Sequence, residues 1–392
     1  MNQSPMIAGR MERIRPFYVM ELLARARQLE EEGRSIIHME VGEPDFPTPE
    51  PIVEAGHQAL RDGHTHYTPA MGIIELREAI SRFYQQHFGF EVSAQRVVVT
   101  PGSSGALQLV MSVLINPGDE VLMADPGYPC NRHFVYLAGG EALTVPVGPE
   151  SQYQLTAELV DKAWTPRTKA VMLATPSNPT GTLVSRQAMV EIHDVVKTRG
   201  GVLIVDEIYQ GLVYGGEEFT SASLADDIFI INSFSKFFGM TGWRLGWMLA
   251  PEDMVSSIDK LAQNIFLSPP TLSQHAALAA FGEETQRILE RRRAAFRERR
   301  DFLLPALRDL GFQISTEPEG AFYLYANCSG LTRDSYDFAM KLLEEEGVAV
   351  TPGKDFGSNS PEQHIRFAYT TEISRLEEGI RRIARFIAKH HE

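Results

Sequence analysis

The chain has 392 residues, 43% of them hydrophobic and 22% charged, with a formal net charge of −14. That length can bury a large core and suggests two or three domain-sized units, and the acidic balance argues against nucleic-acid binding through a basic face. No apolar run approaches the ~18 residues of a membrane span, the first ten residues lack the apolar stretch of a secretion signal, and Cys130 and Cys328 make no disulfide framework; the expectation is a cytoplasmic protein with free thiols and neither nucleic-acid nor membrane partners.

Apolar side chains at Val19, Leu22, Leu23, Ala26 and Leu29 recur at helical spacing and stop at Gly33, predicting an amphipathic helix over 17–33. A strand over 35–41 leads into Gly42-Glu-Pro-Asp-Phe-Pro47, which cannot continue any regular element. A glycine at the mouth of such a loop lets a ligand approach the backbone. Helices over 50–62 and 73–88 flank a loop with His64, His66 and Tyr67; no carboxylate or cysteine stands at ligand spacing from the histidines, so no metal is expected. A strand over 97–100 then runs through Pro-Gly-Ser103-Ser104-Gly-Ala into a helix over 107–114. Such a turn aims N–H groups and the positive end of a helix at one spot, which favours an anion. It lacks the GxGxxG spacing of a dinucleotide site. A strand over 120–124 ends in Asp125-Pro-Gly-Tyr128-Pro.

Strands over 169–174, 202–206 and 228–231 alternate with helices near 156–163 and 185–199, which implies a mostly parallel sheet with helices on both faces. Ligands on such sheets gather at the carboxyl ends of the strands. Asp206 ends a very apolar strand, where a carboxylate is costly unless paired. After the last of these strands comes Ser233-Phe-Ser-Lys-Phe-Phe-Gly-Met-Thr-Gly-Trp-Arg-Leu-Gly-Trp247. Lys236 stands between Ser235 and two phenylalanines, and apolar surroundings lower the pKa of a lysine and leave a nucleophilic amine able to condense with an aldehyde. Ser233, Ser235, Gly239, Gly242 and Arg244 supply hydroxyls, open backbone and a fixed cation that suit a phosphate. A lysine for an aldehyde beside a cradle for a phosphate suggests pyridoxal phosphate.

Beyond Trp247 the pattern is helical over 252–265, 272–281 and 283 to about Pro305, and the arginine cluster from Arg287 to Arg300, interleaved with Glu290, Glu298 and Asp301, reads as a solvated helix face. Strands over 312–315, 321–326, 348–351 and 365–369, with helices over 335–346 and 372–389, predict a second, smaller α/β domain. Arg366 lies in a strand between Ile365 and Phe367 and needs an anionic partner.

The lysine stretch resembles the signature of the class I/II pyridoxal-phosphate-dependent aminotransferases, the fold-type-I family. Val41-Gly-Glu-Pro-Asp-Phe46, Tyr67-Thr-Pro69, Gly102–Ala106, Ser177-Asn-Pro-Thr-Gly181, Asp206-Glu-Ile-Tyr209 and Ile365-Arg-Phe367 match its other motifs in the family's order, over a span from about Arg15 to the C-terminus. The resemblance implies an α/β fold with a large domain over 48–285, built on a mostly parallel sheet sandwiched by helices. A smaller α/β domain would combine 1–47 with 286–392.

The resemblance also assigns roles. Lys236 is the catalytic residue that carries the cofactor. Ser103, Ser104, Ser233, Ser235 and Arg244 hold its phosphate, joined by Tyr67 from the other subunit of a homodimer with shared active sites. Tyr128 stacks on the pyridine ring, Asn178 and Tyr209 bond the phenolic oxygen, and Asp206 pairs with the ring N–H. Gly42, Asn178 and Arg366 bind the substrate carboxylate. The expected activity moves an amino group from an L-amino acid to a 2-oxo acid; a β-eliminating lyase on the same fold is the alternative. Family members that prefer aspartate place a second cation near its distal carboxylate, in some at the position of Ser104. Here that residue is a neutral hydroxyl and the leading segment carries Phe17 and Tyr18, so a neutral or aromatic donor is expected unless a mobile arginine, from 287–300 or the other subunit, intervenes.

Overall fold

The computed structural model describes residues 7–390, and its eleven strands among these residues form two sheets. In chain order they are β1 (Ile37–Met39), β2 (Val97–Thr100), β3 (Glu120–Asp125), β4 (Glu141–Pro146), β5 (Thr168–Ala174), β6 (Val202–Asp206), β7 (Phe229–Ser233), β8 (Gly246–Leu249), β9 (Tyr323–Asn327), β10 (Val348–Pro352) and β11 (His364–Ala368). The larger sheet has the order β2-β8-β7-β6-β5-β3-β4. All neighbours in it are parallel except β8, which runs antiparallel to both β2 and β7. The smaller sheet has the order β1-β10-β11-β9, with β1 parallel to β10 and the other pairs antiparallel.

Alternation along the central strands explains why the large sheet is covered on both faces. Val171, Leu173, Leu203, Val205 and Ile230 join one buried cluster, and Ala170, Met172, Ile204, Phe229 and Ile231 join the other. Successive strand residues point to opposite sides, so a strand apolar at every position must be sandwiched. No helix among the described residues is long and apolar enough to cross a membrane.

Several elements depart from the expectation. The helix after β2 starts at Gly102, so the Ser-Ser pair forms its first turn rather than a loop ahead of it. Tyr128 is the N-cap of an unanticipated helix, Pro129–Leu137, which carries proline at its first position, where the missing N–H costs nothing. β4 and β8 were also not anticipated, and 312–315 contributes only an isolated bridge, Gln313 to Asn327. The long helix continues through Pro305 to Asp309, with Leu303, Leu304 and Leu307 buried on either side of the proline. Packing on that face outweighs the one hydrogen bond a proline removes.

The arginine-rich part of this helix is not wholly a solvated face. Arg299 is buried and forms a two-pronged bond to Asp45 at 2.8 and 2.9 Å, and buried Arg300 donates to the Pro318 carbonyl at 2.8 Å. These arginines tie the helix to the loop after β1 and to the chain ahead of β9.

Candidate active site

At the carboxyl ends of the large sheet lies a cavity of about 280 Å³ whose walls include Gly42, Ser103, Ser104, Tyr128, Asn178, Asp206, Tyr209, Ser235, Lys236, Arg244 and Arg366. β2, β3, β5, β6 and β7 each lead directly into one or more of these residues, and Arg366 comes from β11 of the small sheet.

The lysine stretch connects β7 to β8, closed at its base where Ser233 pairs with Gly246. A Cβ on Gly246 would lie 2.7 Å from both Gly102 C and Ser103 N. Only a glycine there lets the first turn of the Gly102–Leu114 helix pack against the lysine loop, which is how the two halves of the cradle meet. Gly102 itself has φ 69°, and the place its Cβ would take is 2.8 Å from Arg244 Nη2. Arg244 adopts a left-handed backbone, φ 53° and ψ 50°, a conformation uncommon outside glycine and recurrent at ligand sites. Helix N–H groups, the hydroxyls of Ser103, Ser104 and Ser235, and a guanidinium thus surround one corner, a donor set that fits a phosphate.

Another part of the cavity wall, at Asp206, fits a cationic N–H. Asp206 is buried and accepts one hydrogen bond, from the Ile208 N–H at 3.1 Å. Burial pushes its carboxyl up to about 7, against the pull of that bond and of Lys236. Lys236 Nζ donates to the Gly42 carbonyl at 2.7 Å. Burial lowers its ammonium to about 8; Glu43 and Asp206 resist this while Arg366 and Arg244 reinforce it. The amine is therefore partly unprotonated at neutral pH, as a nucleophile must be.

Arg366 is buried, with Nη1 donating to Asn178 Oδ1 at 2.9 Å and Nη2 donating to the Glu40 carbonyl and, at 3.3 Å, to Thr351 Oγ1. Its Nε has no partner, and among the described residues no carboxylate lies within 4 Å of it. A buried guanidinium held only by neutral oxygens is prepared for an incoming anion. Its Cζ lies 4.3 Å from the Tyr323 ring centre and 4.9 Å from that of Phe356.

Tyr323 was not anticipated as a site residue. Its hydroxyl lies 2.8 Å from that of Tyr209 and only 1.9 Å from where a Cβ on Gly42 would stand. The glycine of the loop motif therefore makes room for a phenol from the other sheet. Burial pushes both phenols above their ordinary range. Ile208, Thr241 and Phe356 also line the cavity without having been singled out. Ile208 stood in plain view between Asp206 and Tyr209, whereas Tyr323 and Phe356 carry no local signal and arrive through the packing of the small sheet.

Four residues expected at the site, Gly239, Gly242, Ser233 and Tyr67, do not line the cavity. Ser233 is buried beneath it: its Oγ accepts the Ser235 N–H at 3.0 Å and lies 3.0 Å from Ser235 Oγ and 3.2 Å from the Leu245 carbonyl. It braces Ser235 because its side chain is turned into the loop rather than toward the corner. Tyr67 is 81% exposed and is not among the residues that line the cavity.

Comparison with known proteins agrees with this arrangement. The family model for aminotransferase class I and II matches residues 34–383. The chain is 38% identical to the (5-formylfuran-3-yl)methyl phosphate transaminase of Methanocaldococcus jannaschii, over 98% of this chain and 100% of that protein. It is 37% identical to the valine–pyruvate aminotransferase of Mycobacterium tuberculosis, over 95% and 96%. The crystal structure of an aminotransferase from Mycobacterium tuberculosis superposes with a TM-score of 0.95 at 36% identity, covering 98% of this chain and 100% of that one. With a family model spanning most of its length and cavity walls that fit a phosphate at one corner and a cationic ring nitrogen at the other, this chain belongs to the class I and II aminotransferases, which use pyridoxal 5′-phosphate to transfer amino groups.

Proposed function

We propose that the cavity transfers the amino group of a neutral or aromatic L-amino acid to a 2-oxo acid, with Lys236 as the catalytic residue. The observation that carries this reading is the convergence on one cavity of a lysine lowered to about 8, a carboxyl raised to about 7 and an arginine without an acidic partner.

When bound, pyridoxal phosphate supplies an aldehyde that links to amines and a cationic ring that accepts the electron pair left on Cα after deprotonation. Ser103, Ser104, Ser235 and Arg244 would hold its phosphate, with Ser233 acting through Ser235. Tyr128 would pack against the ring, and Asn178 and Tyr209 would take its phenolic oxygen. Asp206 would pair with the ring N–H and keep that nitrogen protonated. Arg366, with Asn178 and the Gly42 backbone, fixes the donor's carboxylate and so directs the Cα–H bond at Lys236. Lys236 Nζ would act as the base that takes the Cα proton and, once protonated, as the acid that returns it.

The rest of the wall selects the donor. Phe17, Val19, Met20, Leu23, Leu107 and Phe134 line it, and its only cations among the described residues are Lys236, Arg244 and Arg366. No arginine of the 283–309 helix reaches it. A distal carboxylate would be buried unpaired, whereas an apolar side chain gains ~25 cal/mol for each Å² it covers. The named pair of the Mycobacterium relative, valine and pyruvate, is of this kind. Specificity constants for a panel of donors against pyruvate and 2-oxoglutarate test the point: neutral donors are expected to exceed aspartate about ten-fold or more, and aspartate ten-fold better than every neutral donor overturns it.

The functional unit in this reading is an isologous homodimer in which exposed Tyr67 completes the phosphate site of the other subunit, and the domains divide as 48–285 and as 1–47 with 286–392. Hybrids of a Tyr67→Phe/Arg244→Ala subunit with a Lys236→Ala subunit test the sharing. Activity above that of the parental double variant supports it, and no gain in confirmed heterodimers contradicts it.

A further inference from the structure

Two carbonyls of one short segment touch the two most important cations of the site. The Glu40 carbonyl accepts from Arg366 Nη2 and, at 2.9 Å, from Thr351 Oγ1, and the Gly42 carbonyl accepts from Lys236 Nζ at 2.7 Å. β1 ends at Met39, paired with Val350 of β10, so the ladder stops just before this segment. What holds it further is the Glu40 side chain, which is fully buried. Its Oε1 lies 2.7 Å from His38 Nδ1, and its Oε2 is buried without any partner. Among the described residues His38 is the one cationic group within 4 Å of it.

The second ring nitrogen of His38 lies 3.2 Å from Glu30 Oε1 of the Tyr18–Glu31 helix. An imidazole between two carboxylates can donate to both only as the imidazolium; in the neutral form one lone pair faces an anion. The other charged groups packed on β1 are engaged elsewhere. Arg375 donates to Ser35 Oγ and the Ile36 carbonyl, and Arg382 to the carbonyls of Ser35, Glu346 and Gly347. The residues of β10 facing β1, Val348, Ala349 and Val350, carry no charge.

We infer that protonated His38 is a positioning residue for substrate binding: by holding the buried Glu40 carboxylate it fixes the Glu40 carbonyl against Arg366 and so sets the guanidinium that grips the substrate carboxylate. The inference rests on the assignment of Arg366 as that grip. The two carboxylates push His38 from its ordinary 6.5 up to about 9, Glu40 more than Glu30 and against the effect of burial. Because the folded value is raised, the anchor is complete below about pH 6.5 and is lost as pH rises through about 9.

The test is the dissociation constant of 3-phenylpropanoate, a carboxylate with no amino group of its own to titrate, measured on the holoenzyme from pH 6 to 10. Wild type is expected to bind at least five-fold more tightly than His38→Asn at pH 7 and to lose that advantage with a midpoint near pH 9. The specificity constant for the donor should fall with the affinity while kcat at saturation changes less. Glu30→Gln removes only the outer carboxylate, so it should keep the pH 7 affinity and move the midpoint to lower pH; it decides the matter if His38→Asn does not fold. Equal affinities of wild type and His38→Asn at pH 7, a ratio that does not change up to pH 10, or an unmoved midpoint in Glu30→Gln each overturns the inference. Arg366→Ala is the control: if it binds the probe as wild type does, the assignment of Arg366 has failed rather than the role of His38.

Discussion

Asp206 and Glu207 are adjacent at the end of β6, both are buried, and burial pushes both carboxyls up to about 7. Their surroundings differ. Glu207 turns into the packing side, where it accepts the Ser221 N–H at 2.6 Å and the Thr220 hydroxyl at 2.9 Å and ties down the 220–223 turn. Asp206 turns into the cavity and accepts only the Ile208 N–H. A perturbed carboxyl alone therefore does not mark an active site. What separates the two is whether the protein has already satisfied the group: Asp206 closes the strand facing the cavity, and Glu207, the first residue past it, is taken up by the 220–223 turn.

The contrast breaks most sharply in kinetics. Asp206→Ala is expected to leave the fold intact and to slow the chemical step by ~10²–10³, the scale for removing one preorganised charge from a reacting centre. Single-turnover measurement of Cα deprotonation checks this, and a near-normal rate would reduce Asp206 to a second Glu207. Glu207→Ala should do the reverse. It orphans a buried N–H and a hydroxyl, for a loss of about 1–3 kcal/mol each at most, and should lower the unfolding midpoint while folded enzyme keeps its turnover.

A smaller effect sharpens the same comparison. A carboxyl whose folded value is raised binds more protons folded than unfolded between its ordinary value and about 7, so stability falls as pH rises across that window. Cofactor-free enzyme should lose stability from about pH 4.5 to 7 through both groups, on the order of 3 kcal/mol for each. Cofactor should abolish the share of Asp206, by bringing it a cation, and leave that of Glu207. Thermal unfolding against pH for Asp206→Asn and Glu207→Gln, with and without cofactor, separates the two.

Part of the cavity wall was legible in the sequence, for reasons the structure makes plain. That Ser103, Ser104, Ser235 and Arg244 come together was readable because the parts are local: a glycine-led helix start at Gly102 and a lysine loop ending in Arg244. Asp206 was readable because a carboxylate closing an apolar strand conflicts with its surroundings. Tyr323 and Phe356 were not, because ordinary packing aromatics become site residues only when the small sheet docks. Ser233 was misread because nothing in a Ser-x-Ser spacing says which hydroxyl faces outward. The same limit hid the burial of Arg299 and Arg300, whose partners Asp45 and the Pro318 carbonyl are distant or irregular in the chain.

The central claim is that Lys236, lowered to about 8 and seated 2.7 Å from the Gly42 carbonyl, is the residue that bears the cofactor and moves the proton. Borohydride reduction of the holoenzyme followed by peptide mapping tests it most directly. Reduction is expected to bleach the visible band, abolish turnover and leave the pyridoxyl group on the peptide containing Lys236, with Lys236→Ala unlabelled and inactive. Label on another lysine, or none, with activity retained, would contradict it.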